Sequence, residues 1–159
     1  DGPVYPGTCR NLPRGEAANG VLRLNMAAAL DSVTDLHFME TGARHAGRVS
    51  LTRQVYLERI GDIVLARRDM GTSYHLSVVL DDAAQGITHV VRGEDLFDAT
   101  AIHVLLQRLM GLPTPAYHHH ALIRDAQGKR LAKRDDARAI AAFRAEGRNA
   151  QEVRRMVGL

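Results

Sequence analysis

Apolar and polar residues alternate through Leu22-Arg23-Leu24-Asn25-Met26, the period of a strand with one face buried. Weaker alternation over residues 36–40 and 47–51 predicts two further strands. A fourth follows from Asp62-Ile63-Val64-Leu65-Ala66-Arg67-Arg68, which the turn residues Asp69-Met70-Gly71 close. Together these runs predict a small β-rich insert. The run Leu76-Ser77-Val78-Val79-Leu80 fits a buried strand or a buried helix, which periodicity alone does not separate. Residues 88–92 read as a buried strand. Asp98 or Thr100 then caps a helix running to Met110, apolar at Ile102, Leu105, Leu106 and Leu109, and Gly111 with Pro113 stops it. Residues 117–123 are expected to be extended. Beyond Asp135 the chain turns Ala- and Arg-rich and helical, and Asn149 with Glu152 has the spacing of a capping box. Gly, Pro and Asn dominate the first 18 residues, which predicts a loop with at most a short helix. The order strand, helix, strand from residue 88 to 123 predicts two parallel strands joined by a helical crossover, hence an α/β layer.

Composition narrows the partners more than the fold. The chain has 159 residues, enough for a domain with a real core, and 45% of them are hydrophobic. Aromatics are only 4% and Trp is absent, which argues against a stacking platform for single-stranded nucleic acid. A net charge of +3 and a pI near 9.4 are compatible with an RNA partner without requiring one. No apolar run is long enough to span a bilayer and no signal-peptide pattern opens the chain. The single cysteine, Cys9, has no intrachain partner and predicts a cytoplasmic protein. The loop-like start without Met suggests the C-terminal part of a longer protein.

Lysine use is more telling. The chain has two lysines, Lys129 and Lys133, both within Gly128-Lys129-Arg130-Leu131-Ala132-Lys133-Arg134, while arginine supplies every other basic charge. Lysine is a compact charge on a flexible stem, suited to neutralising a phosphate, and arginine is a planar fork. A solvated basic turn after Asp125-Ala126-Gln127-Gly128 is the plainer reading of the same residues.

Three upstream motifs decide between them. Val90-Val91-Arg92-Gly93-Glu94-Asp95-Leu96 is followed by Leu105-Leu106-Gln107-Arg108-Leu109-Met110-Gly111-Leu112-Pro113-Thr114-Pro115 and by Tyr117-His118-His119-His120-Ala121-Leu122-Ile123. In this order and spacing the block resembles the second half of the catalytic domain of class I glutamyl-tRNA synthetases. It is most similar to their short paralogue that glutamylates queuosine in tRNA-Asp. The resemblance is strongest from Gly61 to Asp135 and puts Arg130-Leu131-Ala132-Lys133-Arg134 on the family's KMSKS loop. It implies a Rossmann-like nucleotide-binding α/β domain, a helix at Tyr74–Asp82, and the substrates L-glutamate, ATP and tRNA-Asp, with Mg2+. The implied organisation is a connective β-rich region over 1–70, the second half of the catalytic domain over 71–135 and a helical extension over 136–159.

Candidate residues follow from chemistry and resemblance together. Arg92 ends a strand, and ligands of open α/β sheets bind at the carboxyl ends of strands, where a guanidinium suits a carboxylate. An ion pair with Glu94, Asp95 or Asp98 is the structural alternative. The resemblance assigns Arg92 and Tyr74 to the glutamate pocket, and Lys133 and Arg130 to ATP. Lys133 would be catalytic, because activation develops charge on the phosphates as pyrophosphate leaves. Ala132 stands where the family usually has Ser, which removes one hydroxyl. Of the three histidines, His119 best matches a family His that belongs to the fold, and alternation lets at most His118 and His120 share a metal. Tyr5 and Cys9 match the last two ligands of the paralogue's zinc site. Its first two ligands, an upstream Cys-x-Cys, do not occur here, so zinc belongs to a longer parent if anywhere.

The motif that pairs with the KMSKS loop across ATP is not in this sequence, so the 159 residues alone are expected to be inactive. Two other readings stay open: part of an ordinary glutamyl-tRNA synthetase, and a non-catalytic tRNA-binding half-domain.

Overall fold

The computed structural model describes residues 3–13, 20–125, 127–131 and 139–158. Two compact units divide the chain, residues 1–120 and 121–159.

The first unit begins with a difference from the sequence pattern. The alternation at 22–26 yields only a two-residue strand, β1 (Leu22–Arg23), paired antiparallel with β4 (Val64–Ala66). Asn25 ends it by capping α1 (Met26–Asp31), its side chain accepting from the Ala28 amide. Met26 is therefore a buried helical residue, and Leu22 is 61% exposed instead of half-buried. A polar residue that breaks an alternation also caps a helix, and here the cap wins. Asp62 fixes this corner, accepting from the Met26 amide at 2.9 Å and from Arg10 at 2.6 Å.

The main sheet has the order β3-β2-β6-β5. In chain order these strands are β2 (His37–Glu40), β3 (Gly47–Ser50), β5 (His89–Gly93) and β6 (Ala116–His120). β2 and β3 pair antiparallel, while β6 runs parallel to both β2 and β5. The strands expected in a β-rich insert, β2 and β3, thus lie in the same sheet as β5 and β6. The strand expected at 88–92 exists but is not buried. β5 is the edge of this sheet, and Val91 is 67% exposed. An apolar run signals a strand without specifying how many neighbours will flank it.

Helix α3 (Tyr74–Ala84) resolves the ambiguous run as helix. Ser73 precedes it in an extended conformation and caps it through the Leu76 amide. Helix α4 (Ala99–Leu109) is the crossover between parallel strands β5 and β6. Asp98 occupies its cap position without a side-chain cap bond, and the chain leaves the helix through Gly111 at φ +64°. Val104, Leu105 and Leu106 of α4 pack with Met26, Phe38, Val79 and Tyr117 in one core. A short helix, α2 (Arg53–Val55), runs into a π-helical turn (Tyr56–Ile60) that inserts Tyr56 into this core. The Tyr56 hydroxyl donates to the Ala101 carbonyl at 2.9 Å, and burial pushes its pKa up.

The second unit carries α5 (Ile140–Ala145) and α6 (Ala150–Met156). The expected capping box is present, with Asn149 accepting from the Glu152 amide and Glu152 accepting from the Asn149 amide. Ahead of these helices, Asp125 folds a turn by accepting from the amides of Gln127 and Lys129. Among the described residues no helix is long and apolar enough to cross a membrane.

Because α4 fills the core and α3 keeps one face outside, Leu105→Ala should cost about 2–5 kcal/mol through cavity formation. Leu80→Ala, at a position 44% exposed on α3, should stay within about 0.5 kcal/mol of wild type. Urea denaturation midpoints of the two variants test the contrast.

Candidate active site

The parallel register of β5 and β6 sets Arg92 beside His119. Alternation along β6 turns Tyr117 and His119 to the buried face. Glu40 closes the group from β2, and α4 contributes Thr100 and His103. Thr100, His103 and Gln107 recur at helical spacing and are each no more than 2% exposed, so α4 buries a polar stripe beside its apolar one.

Arg92 is held on every side. Its Nε donates to His119 Nε2 at 3.1 Å, and one terminal nitrogen donates to His103 Nδ1 at 3.2 Å. The other terminal nitrogen donates to the Thr100 hydroxyl at 2.7 Å and the Leu96 carbonyl at 3.2 Å. The guanidinium carbon lies 5.2 Å from the Tyr117 ring centroid, within cation–π range. The ion pair considered from sequence does not form with Glu94, which pairs with Arg44. Among the described residues, Arg92's hydrogen-bond partners are imidazole nitrogens, a hydroxyl and a carbonyl; the nearby Asp82 carboxylate feels the Arg92 charge without such a bond to it. A guanidinium has five N–H donors, and four are used among the described residues, which leaves one N–H on the nitrogen facing His103.

Glu40 and His119 anchor the arrangement. Glu40 is 2% exposed and accepts from the His119 ring at 2.5 Å, the His119 amide at 2.9 Å and the Gly42 amide at 2.6 Å. Burial alone would raise the Glu40 pKa, but these hydrogen bonds and the proximity of His119 outweigh it and hold the carboxylate below its ordinary 4.5. Gly42 has to be glycine here. A Cβ would collide with the His119 carbonyl and lie 2.7 Å from Glu40 Oε1.

Tyr74, at the start of α3, reaches the same group. Its ring meets His75 at 5.4 Å and His103 at 6.0 Å, both edge-on, and the residue is 54% exposed. Tyr74 and Arg92 therefore both contact His103. Sequence reasoning singled out this Tyr and Arg, but not His75, His103, Thr100 or Glu40. The available signal was the polar spacing Thr100-His103-Gln107, on a helix read only for its apolar residues.

Lys133 and Ala132 lie outside the described residues, and Arg130 belongs to the second unit, in an isolated bridge with Arg124. His118 shares a hydrogen bond with Thr41 at 2.9 Å. The Cys9 amide donates to the Tyr5 hydroxyl at 2.6 Å, with the Arg23 guanidinium over the Tyr5 ring, and the Cys9 thiol is exposed and free. This pair falls short of a tetrahedral zinc shell, and the described residues contain no group of three His, Cys, Asp or Glu able to hold a metal.

Fold and site together define a class. Residues 28–159 match the family described as tRNA synthetases class I (E and Q), catalytic domain, and the chain belongs to that family. Over its whole length it is 58% identical to the glutamyl-Q tRNA(Asp) synthetase of Rhodobacter capsulatus, covering 58% of that protein. Over 86% of its length it is 43% identical to the glutamyl-Q tRNA(Asp) synthetase of Burkholderia cenocepacia, covering 43% of it. The chain thus spans about half the length of these relatives. Among solved structures it is similar to the glutamate-tRNA synthetase of Elizabethkingia anophelis, with a TM-score of 0.60 and 29% identity over 85% of this chain and 28% of that one.

The lowered Glu40 pKa makes a signed prediction. An unfolded chain binds this proton more readily, so the contribution of Glu40 is complete above about pH 4.5 and lost as pH falls through the lower folded value. Urea denaturation from about pH 3 to pH 6 should show stability rising with pH across that window. Glu40→Gln should flatten the rise and cost about 1–3 kcal/mol at neutral pH.

Proposed function

We propose that this chain is part of an enzyme that activates L-glutamate with ATP and transfers the glutamyl group to queuosine in tRNA-Asp. The supporting observation is the state of Arg92: a positive charge held by neutral acceptors, with one N–H to spare, beside an exposed tyrosine. A cation whose hydrogen-bond partners leave its charge uncompensated suits an anionic ligand, and the leftover donor suits a carboxylate oxygen. Arg92 and Tyr74 then bind glutamate, with the phenol as a second donor and its ring as a wall. The high identity to glutamyl-Q tRNA(Asp) synthetases over the whole chain favours queuosine over an ordinary tRNA-Glu end.

In this reading the glutamate carboxylate attacks the α-phosphorus of ATP, and pyrophosphate leaves with the bond to that phosphorus. Lys133 neutralises charge on the departing phosphates, with Arg130 as a second cation. Mg2+, when bound, would neutralise the same phosphates, and no ligand for it is assigned among the described residues. Zinc at Tyr5 and Cys9 requires donors from outside this chain. The protein is read as cytoplasmic, in keeping with its single free cysteine.

Transfer of labelled glutamate by the intact protein tests the substrate directly. Tyr-, Glu- or Asp-accepting tRNAs are supplied with and without queuosine, and only queuosine-containing tRNA-Asp should be labelled. Equal labelling of tRNA-Glu would overturn the reading.

Two variants test the residues. Arg92→Lys keeps the charge and loses the fork, so the apparent affinity for glutamate should fall by about 1–3 kcal/mol with ATP use little changed. An unchanged glutamate KM would make Arg92 structural. Lys133→Ala should slow single-turnover adenylate formation by about a hundredfold while leaving glutamate affinity in place, as expected for a contact made mainly in the transition state. A rate within about twofold of wild type would end that assignment.

A further inference from the structure

The hydrogen bonds around Arg92 have only one consistent direction. Arginine cannot accept, so His103 Nδ1, 3.2 Å from the guanidinium, must be a bare acceptor. The ring proton of neutral His103 is therefore on Nε2, which lies 3.0 Å from His75 Nδ1 and donates to it. His75 then carries its own proton on Nε2. On the other side of Arg92 the same logic sets the opposite tautomer. His119 Nε2 accepts from Arg92, so the proton sits on Nδ1 and is donated to Glu40.

We propose that His103, backed by His75, is a positioning residue for substrate: the one-way chain Arg92 to His103 to His75 fixes the guanidinium so that its remaining N–H meets the substrate carboxylate. This rests on the reading that Arg92 binds glutamate. His119 and Thr100 hold the Nε side and one terminal nitrogen; among the described residues the nitrogen that keeps the spare N–H is held by His103. Without that acceptor this nitrogen has two uncommitted N–H groups, and the planar fork loses one of the four hydrogen bonds that hold its plane and position. His103 suits the task because it is 2% exposed, on the rigid interior face of α4, and is backed from α3 by His75. Its protonation is opposed first by burial, then by the Arg92 charge and by competition with His75 for a proton, which together pull its pKa down to about 3 and keep the acceptor bare.

The test uses the intact protein that carries this chain, with His103→Leu and His103→Gln. Leu cannot accept, whereas the Gln amide accepts with its oxygen and donates with its nitrogen. His103→Leu should raise glutamate KM about tenfold to a hundredfold, the scale of a hydrogen bond to a charged group, with ATP KM within about twofold of wild type. His103→Gln should recover most of the loss. Equal losses for glutamate and ATP in both variants, or no change in glutamate KM, would overturn the proposal. Arg92→Lys separates the two readings: a glutamate defect there with none in His103→Leu removes only the role of His103, whereas no defect in Arg92→Lys removes the Arg92 reading itself. A second measurement needs no variant to fold. Nitrogen-15 NMR of the wild-type rings should show His103 with a bare Nδ1 and a protonated Nε2, and His119 with the reverse. The same tautomer on both rings, or a protonated Nδ1 on His103 at neutral pH, would overturn the chain.

Discussion

An arginine only donates hydrogen bonds, and this constraint orders the interior around Arg92. Each partner must present an acceptor, which sets the tautomers of two histidines and the roles of Thr100 and the Leu96 carbonyl. The proton thereby displaced to the far side of His119 needs an acceptor of its own, and Glu40 supplies it from a neighbouring strand. Through its other oxygen Glu40 in turn accepts from two backbone amides, one of which belongs to a glycine that tolerates no side chain. A single charged residue at the end of an edge strand thus fixes side chains on two other strands and two helices. A half-satisfied polar network in a low-dielectric interior would cost more than an apolar one.

Helix α4 shows how much of this was legible in advance. Its apolar residues at helical spacing and its Gly111 stop were sufficient to place the helix and to make it the crossover between parallel strands. The buried polar stripe at Thr100, His103 and Gln107 was equally periodic, yet hydrophobic periodicity treats such residues as the solvent face. Arg92 partners Thr100 and His103, and the Tyr117 hydroxyl accepts from Gln107 at 3.1 Å, while Gln107 Oε1 is buried without a partner among the described residues. Those partners come from residues distant in sequence, which a local pattern does not contain. The same gap explains β5, whose apolar run was read as buried although the strand is an edge of this sheet.

The failures of local reading at 22–26 and at 88–92 have different causes. In the first, Asn25 had two local options and the helix cap was the better one, because it satisfies an amide that a strand end would leave to solvent. In the second, the local structure was right and only its environment was wrong. The Tyr and Arg of the site were found by resemblance rather than by pattern, and the geometry brings both to one histidine.

That histidine gives the site a particular electrostatic character. Had Arg92 been paired with a carboxylate, its charge would be cancelled and an incoming anion would have to displace a partner. Held by imidazoles, a hydroxyl and a carbonyl, and offset only at a distance by Asp82, it has no carboxylate to displace while its geometry is fixed in advance. The cost is a cation only partly compensated where water is scarce, a state that the cation–π contact with Tyr117 at 5.2 Å eases without neutralising. Fixed orientation and retained charge are the two properties that let an arginine select a carboxylate by direction as well as by sign. A lysine in the same place would keep the sign and lose the direction, since its three donors rotate about one bond.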